Sequence, residues 1–513
     1  MIQRPRFILT FLCLFWYTVT QYGGIRAPDA EVVFRVAENL TAGKGFGVSS
    51  DLENWKGFGV AFGKDSVLYA VYPPGESLVL VPFILAARWA NKTHWYENLS
   101  IPLSHYVNDG FRKMYYQKAE PQIEPHALRF LCTLMNILAG TLGALIFYSI
   151  LLVMTRSQMA SLFVSLLYAF GTMIWSYTAT FFSEALTVAY ILSSFYFLVS
   201  SDSAFSENKN PVTPMRFFFS GMALGLALVT HTNSALVAPF FTFYAWRICS
   251  KNRKLILFWV AGYVVFAVLL GWFNWLRFGN VFETGRGLSV NNPVDWVSLT
   301  SVKYWRNAYG ILAGYGKGLI LFCPAVIFGF LTWNTFHRKY RFLSRWFSLL
   351  IVFVIMFVAS YEYWHAGFSL GPRYLIMTIP FMLIPSAFWV KEKIENKRGR
   401  TEFALFCGVL GLAVIQQLFF CVGELFSFYH IMKWSYLNKG VDIFLNDRIY
   451  LDWKLSPLHQ LLSFKRGPFI LQSIPLSNGI LWLAMSVLAL TLLFLIVNFF
   501  YRSTPLPKKT SRK

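Results

Sequence analysis

Charged side chains are scarce in this chain, at 14% of 513 residues, and acidic ones are scarcer still, with 24 Asp and Glu against 46 Lys and Arg. So few charges beside 56% hydrophobic and 19% aromatic residues exclude ordinary soluble domains and leave no polar stretch large enough to fold alone. Cysteine is also sparse. Cys13, Cys132, Cys249, Cys323, Cys407 and Cys421 lie in apolar runs or at their edges, which excludes a disulfide framework, and no CxxC or Cys/His spacing marks a zinc site. No internal repeat or low-complexity tract is present, which argues against the inverted-repeat plan of many secondary transporters.

What the chain does hold is roughly thirteen apolar runs long enough, or nearly so, to cross a hydrocarbon core of about 30 Å. They fall near 7–22, 75–90, 127–154, 157–175, 180–200, 216–231, 233–248, 255–275, 316–334, 346–361, 372–390, 402–423 and 477–500. The expected fold is therefore all-α, a polytopic transmembrane helical bundle of about 12 helices. Arg4 and Arg6 precede the first run, but no small-residue cleavage site follows it, so an uncleaved first helix is expected.

The net charge of +22 does not point to nucleic acid, because the cations sit in short clusters between apolar runs. Arg247 to Lys254, His337 to Arg345, Lys391 to Arg400 and Lys508 to Lys513 read as cytoplasmic loops and tail. Alternation then places 23–74, 276–315, 361–371 and 424–476 outside. With both termini inside the number of crossings is even, so one run does not cross; 75–90 and part of 127–175 are the suspects, which leaves the side of 91–126 open.

Residues able to carry chemistry gather in the outer segments. Asp29 and Glu31 open a helical pattern with apolar residues at 32, 33, 36, 37 and 40 and charges opposite, as for a helix lying in the membrane interface. A carboxylate there can take the proton from an attacking hydroxyl. It can equally be a cap and a first-turn residue favoured by the helix dipole. Arg373, after Gly371 and Pro372, opens an inward-running helix, where a guanidinium and the helix N-terminus together suit a phosphate. An interfacial arginine on lipid phosphate reads the same way. His365 and Tyr374 flank it. Lys317, in Gly314-Tyr315-Gly316-Lys317-Gly318, opens the run at 316–334 in the same manner, as an anion ligand or an interface anchor, without the spacing of a nucleotide loop. Glu184 at an outer helix end and Arg286 in an outer loop are substrate-contact candidates, or solvated ends. His231 reads as a packing residue. Asn39, Asn91 and Asn98 head glycosylation-type triplets.

Asp29 with Glu31, Tyr72-Pro73-Pro74-Gly75-Glu76, Phe182-Ser183-Glu184-Ala185-Leu186 and Gly371-Pro372-Arg373-Tyr374 together give a sequence that resembles the GT-C superfamily of membrane glycosyltransferases. Within it the likeness is in particular to bacterial relatives of the dolichyl-phosphate-mannose-protein mannosyltransferases and of the lipid A aminoarabinose transferase. The resemblance implies a GT-C-type catalytic region over 1–423, an outer loop at 424–476 shaping the acceptor site, and a last helix with a basic tail at 477–513. It implies inverting transfer of a sugar, hexose or pentose, from a polyprenyl-phosphate carrier to a glycan, lipid or protein acceptor on the outer face of the cytoplasmic membrane. The first-loop base would be Asp29 or Glu31; the usual adjacent pair is here split by Ala30. Arg373, Lys317 and His365 would hold the donor phosphate, and Glu184, Arg286 and Tyr374 the substrate. The pattern fixes no cofactor, and a divalent cation is compatible with it. The rival readings are a transporter or flippase for lipid-linked sugars, which calls for ionisable residues near the bilayer midplane, and a glycan polymerase, which needs no first-loop carboxylate.

Overall fold

The computed structural model describes residues 3–21, 25, 28–48, 59–93, 127–205, 213–288, 302–361, 363–367, 369–395, 400–422, 428–429, 432, 435–443 and 447–462. The expected last crossing, the basic tail, Asn98 and nearly all of 91–126 lie outside these residues. In chain order come α1 (Gln3–Val19), α2 (Pro28–Thr41), β1 (Val60–Phe62), β2 (Leu68–Ala70), α3 (Gly75–Thr93), α4 (Ala127–Thr155), α5 (Gln158–Gly171) and α6 (Ile174–Ala179). Then follow α7 (Glu184–Val199), α8 (Pro214–Thr230), α9 (Ala238–Ile248), α10 (Leu255–Phe278), α11 (Val302–Ala313), α12 (Leu319–Phe322), α13 (Ala325–Leu331), α14 (Trp333–Lys339) and α15 (Arg341–Ala359). The series closes with α16 (Ile379–Glu395), α17 (Arg400–Val422), α18 (Arg448–Leu451) and α19 (Pro457–Leu462).

The protein is a multi-pass helical membrane protein. Among the described residues, five helical stretches are long and apolar enough to cross a bilayer: Leu131–Thr155, Leu255–Phe278, Arg341–Ala359, Arg373–Glu395 and Thr401–Cys421. Shorter apolar helices at Gln158–Phe170, Glu184–Val199 and Pro214–Thr230 pack among them. Phe195 of α7 shows how the interior is filled, its ring stacked 5.9 Å from Trp346 and edge-on 5.3 Å from Phe381, so that one side chain ties α7, α15 and α16 together.

Two expected runs are broken. The run at 157–175 stops after α5, where the Thr172 hydroxyl donates to Tyr168 O at 2.6 Å and accepts from Ile174 N at 3.3 Å, turning the chain into α6. The run at 316–334 is not one helix but α12, α13 and the start of α14. Pro324 has no N–H with which to continue α12, and the chain kinks there. Lys317 therefore does not stand at the head of a long helix, and a four-residue helix carries little dipole.

The helix expected in the interface is α2, with Pro28, Asp29 and Glu31 in its first turn. It is wedged between two apolar bodies rather than lying half in solvent. Val33, Phe34 and Ala37 join the main helical core, while Val32 and Val36 pack with Val60, Leu68 and Ala70. Those last three belong to an antiparallel hairpin, β1 and β2, in register Val60↔Ala70 and Phe62↔Leu68, an addition to the all-α expectation. The hairpin hangs from the end of α10, where Lys64 N donates to Arg277 O at 2.9 Å and buried Arg277 donates to Ala70 O.

Helix direction now decides where charges meet. α10 begins after Arg253 and Lys254 and ends toward Arg286; α15 begins at Arg341 and ends toward Tyr361; α16 follows Arg373 and ends with Lys391 and Lys393 in its last turns. The basic clusters thus share one end of the bundle, and the candidate site residues share the other.

Candidate active site

Arg373 lies at the centre of the opposite end, just before α16 in a 3-10 turn, Arg373–Thr378. Pro372 directly precedes that turn rather than occupying the first turn of an α-helix. Arg373 Nε donates to Glu184 Oε1 and its Nη1 to Asp29 Oδ2 at 3.3 Å, and its guanidinium lies 4.0 Å above the Phe182 ring. Three elements far apart in sequence, the starts of α2, α7 and α16, therefore converge on one cation. Two buried side chains set this geometry. Asn136 of α4 donates to both Thr180 O and Phe182 O at 2.8 Å, fixing the turn that presents Glu184, and Tyr177 donates to Leu370 O at 2.8 Å, fixing the segment that leads into Arg373.

The acidic pair of α2 divides between two environments. Asp29 keeps 36% of its side chain exposed and faces Arg373. Glu31 is 3% exposed and accepts from Arg35 Nε at 2.9 Å, one turn along the same helix. Glu184, read above as a possible solvated helix end, is buried. Glu76 is a member of the cluster that sequence reasoning did not assign to the site. It is buried at the start of α3, and its Oε1 has no hydrogen-bond partner among the described residues. Gly75 brings it there, since a Cβ at that position would lie 2.5 Å from Val229 O at the end of α8.

His231, assigned to packing from sequence, sits at the C-terminal end of α8 beside this cluster. Its Nδ1 accepts from Asn233 N at 3.2 Å, and its Nε2 stands 3.7 Å from Glu184 Oε1. The ring meets Tyr374 at 6.4 Å, and Tyr374 meets Tyr361 at 5.9 Å, both edge-on. Arg286 places its guanidinium 5.8 Å from the ring of Tyr72. Asp29, Glu184, Arg286, Arg373 and Tyr374 are thus brought to one locality, as is His231.

Lys317 and His365 belong to a neighbouring layer. Lys317 is fully buried, and its ammonium donates to Gly367 O at 2.8 Å, to Ser369 O and to Ser369 Oγ at 3.1 Å. It clamps the loop leading to Arg373. That loop needs the clamp, because Ala366 and Gly367 both take left-handed backbone angles, φ +54° and +67°. His365 stacks on Tyr450 at 4.4 Å, and its Nδ1 accepts from Gly367 N at 3.0 Å. Burial, with Lys317 beside it, pulls its pKa down to about 3, so the ring is neutral. Asp447, which no sequence signal singled out, accepts from Arg306 at 2.7 Å and from Trp364 Nε1 at 3.2 Å. Gly316 N donates to Tyr450 O at 2.8 Å, and Tyr429 OH donates to Gly316 O at 2.9 Å. The described part of 424–476 is therefore built into the floor beneath the Arg373 loop. Among the described residues, no group of three His, Cys, Asp or Glu side chains is placed to hold a metal ion.

The chain matches no protein-family model and no curated protein. Solved structures do resemble it. The oligosaccharyltransferase of Archaeoglobus fulgidus, crystallised with a tethered acceptor peptide, aligns with TM-score 0.51 and 11% identity over 81% of this chain and 55% of its own. ArnT from Cupriavidus metallidurans, crystallised with undecaprenyl phosphate, aligns with TM-score 0.45 and 12% identity over 84% of this chain and 72% of its own. Both neighbours are GT-C glycosyltransferases. The fold is thus similar to that of the oligosaccharyltransferase, of which the chain spans about half the length.

Proposed function

We propose that this protein is an inverting glycosyltransferase that moves a sugar from a polyprenyl-phosphate carrier to a hydroxyl acceptor at the outer face of the cytoplasmic membrane. The observation that carries the proposal is Arg373 held between Asp29 and Glu184 at the end of the bundle away from the basic clusters. The positive-inside rule supports that end as the outer, periplasmic one. The region over 1–423 is the catalytic unit, with 424–476 contributing to the acceptor side.

The carrier enters laterally between helices, and its phosphate meets Arg373, with Arg286, Tyr72 and Tyr374 around the sugar. The acceptor hydroxyl attacks the anomeric carbon, the bond from that carbon to the phosphate oxygen breaks, and the carrier phosphate departs with the electron pair. Its growing negative charge is stabilised by Arg373, a donor fixed in place before reaction. The hydroxyl proton passes to Asp29. Asp29 suits the role better than Glu31 because it is partly exposed and faces the cation, whereas Glu31 is buried against Arg35. Lys317 and His365 support the loop rather than touch the phosphate, the Lys317 ammonium being engaged with Gly367 and Ser369 and His365 Nδ1 with Gly367 N.

The test incubates purified protein with polyprenyl-phosphate carriers bearing radiolabelled sugars and a membrane extract as acceptor source, reading labelled product and free carrier phosphate. Wild type should release carrier phosphate in step with product, and Arg373→Ala should not. Full turnover by Arg373→Ala, or none by wild type with any carrier, overturns the proposal.

A further inference from the structure

Two edges of the Arg373 guanidinium are held by carboxylates in this structure, and that sets a condition on any anion that claims those same donors. Arg373 Nε and Nη1 are taken by Glu184 and Asp29. A phosphate that takes the Nε edge of the guanidinium must leave Glu184 behind. Glu184 is buried, and its Oε2 already has no hydrogen-bond partner among the described residues. A buried carboxylate that loses its charged donor is strongly disfavoured.

One group stands ready to prevent that. His231 Nδ1 accepts a backbone hydrogen bond from Asn233 N, so the neutral ring carries its proton on Nε2. That Nε2–H stands 3.7 Å from Glu184 Oε1, the same oxygen that Arg373 Nε occupies, just beyond hydrogen-bond distance. His231 follows the last residue of α8 directly, and its ring also borders Tyr374, the residue after Arg373.

We propose that His231 is a positioning residue which takes over Glu184 Oε1 when Arg373 turns to the carrier phosphate, so that Glu184 and phosphate exchange the guanidinium between them. The inference rests on the proposed placement of the phosphate at Arg373. It makes two statements beyond that placement: Glu184 competes with the phosphate, and His231 relieves the competition.

Equilibrium binding of undecaprenyl phosphate to the full-length protein in detergent tests both without needing turnover. Arg373→Ala should lose binding; if it does not, the placement of the phosphate fails and the exchange with it. If it does, His231→Ala should weaken binding about tenfold or more, the scale of one charge-assisted hydrogen bond. His231→Gln, which keeps an N–H near the Nε2 position, should recover most of the loss. Glu184→Gln should bind the phosphate at least as tightly as wild type, because a neutral amide holds Arg373 less firmly. In that background His231→Ala should have little further effect. An equal loss from His231→Ala in both backgrounds, or no rescue by Gln, reduces His231 to a packing residue and overturns the exchange. Weaker binding by Glu184→Gln overturns the competition.

Discussion

Asp29 and Glu31 lie two residues apart on one helix, and the structure makes opposite predictions for them. Asp29→Asn keeps the shape, and the amide still accepts from Arg373, but it cannot take a proton. A general base contributes about 10²- to 10⁴-fold, which corresponds to about 2.7 to 5.4 kcal/mol in the barrier. Transfer by Asp29→Asn should fall by that factor while the protein inserts and melts like wild type, since Asp29 is over a third exposed and its ion pair adds little stability. Glu31→Gln should behave the other way. It turns a buried charge-assisted hydrogen bond from Arg35 into a neutral one, for a stability loss of about 1 kcal/mol, visible as a lower melting temperature in detergent, while transfer per folded molecule stays within about threefold. The assay is initial rate per folded protein, with folding measured separately by thermal unfolding. Transfer lost per folded molecule in Glu31→Gln and retained in Asp29→Asn would refute the assignment of the base.

Three further outcomes follow from the same geometry. Lys317→Met should leave Gly367 O and Ser369 O without their donor, loosening the loop that carries Arg373; we expect raised KM for the carrier and faster amide exchange over 363–371, with α7 and α8 unaffected. Gly316→Ala would place a Cβ 2.7 Å from Tyr450 Cα, backbone that cannot yield locally, and should detach the 447–456 segment, read as new protease sensitivity there. His365 is neutral in the folded protein with a pKa near 3, below the value of about 6.5 in an unfolded chain. The unfolded state therefore binds the extra proton between those values, and stability attributable to His365 falls as pH drops from about 6.5 toward 3, by up to about 1.4 kcal/mol per unit. His365→Gln should flatten the dependence of melting temperature on pH in that window; an unchanged slope would contradict it.

Much of this protein was legible before any coordinates. Hydrophobic runs and the placing of cations are local properties read by a solvent that changes abruptly at the membrane surface, so composition alone determines that the chain is helical and membrane-embedded, and where its basic ends lie. The candidate residues Asp29, Glu184, Arg286, Arg373 and Tyr374 were also visible, because charges at the ends of apolar runs are few. What sequence could not decide was which of them meet. Asp29 and Glu31 are equivalent by spacing; only the packing of α2 between the core and the hairpin turns one to Arg373 and the other to Arg35. Glu76 and His231 look like a helix start and a helix end until Gly75 and the close of α8 bring them together. Lys317 reads from sequence as an anion ligand or an interface anchor; the break at Pro324 and the Gly367 and Ser369 carbonyls that meet its ammonium are tertiary facts. A residue's partner in this site lies up to 344 positions away, and contacts at that separation are set by how helices pack, which no local pattern encodes.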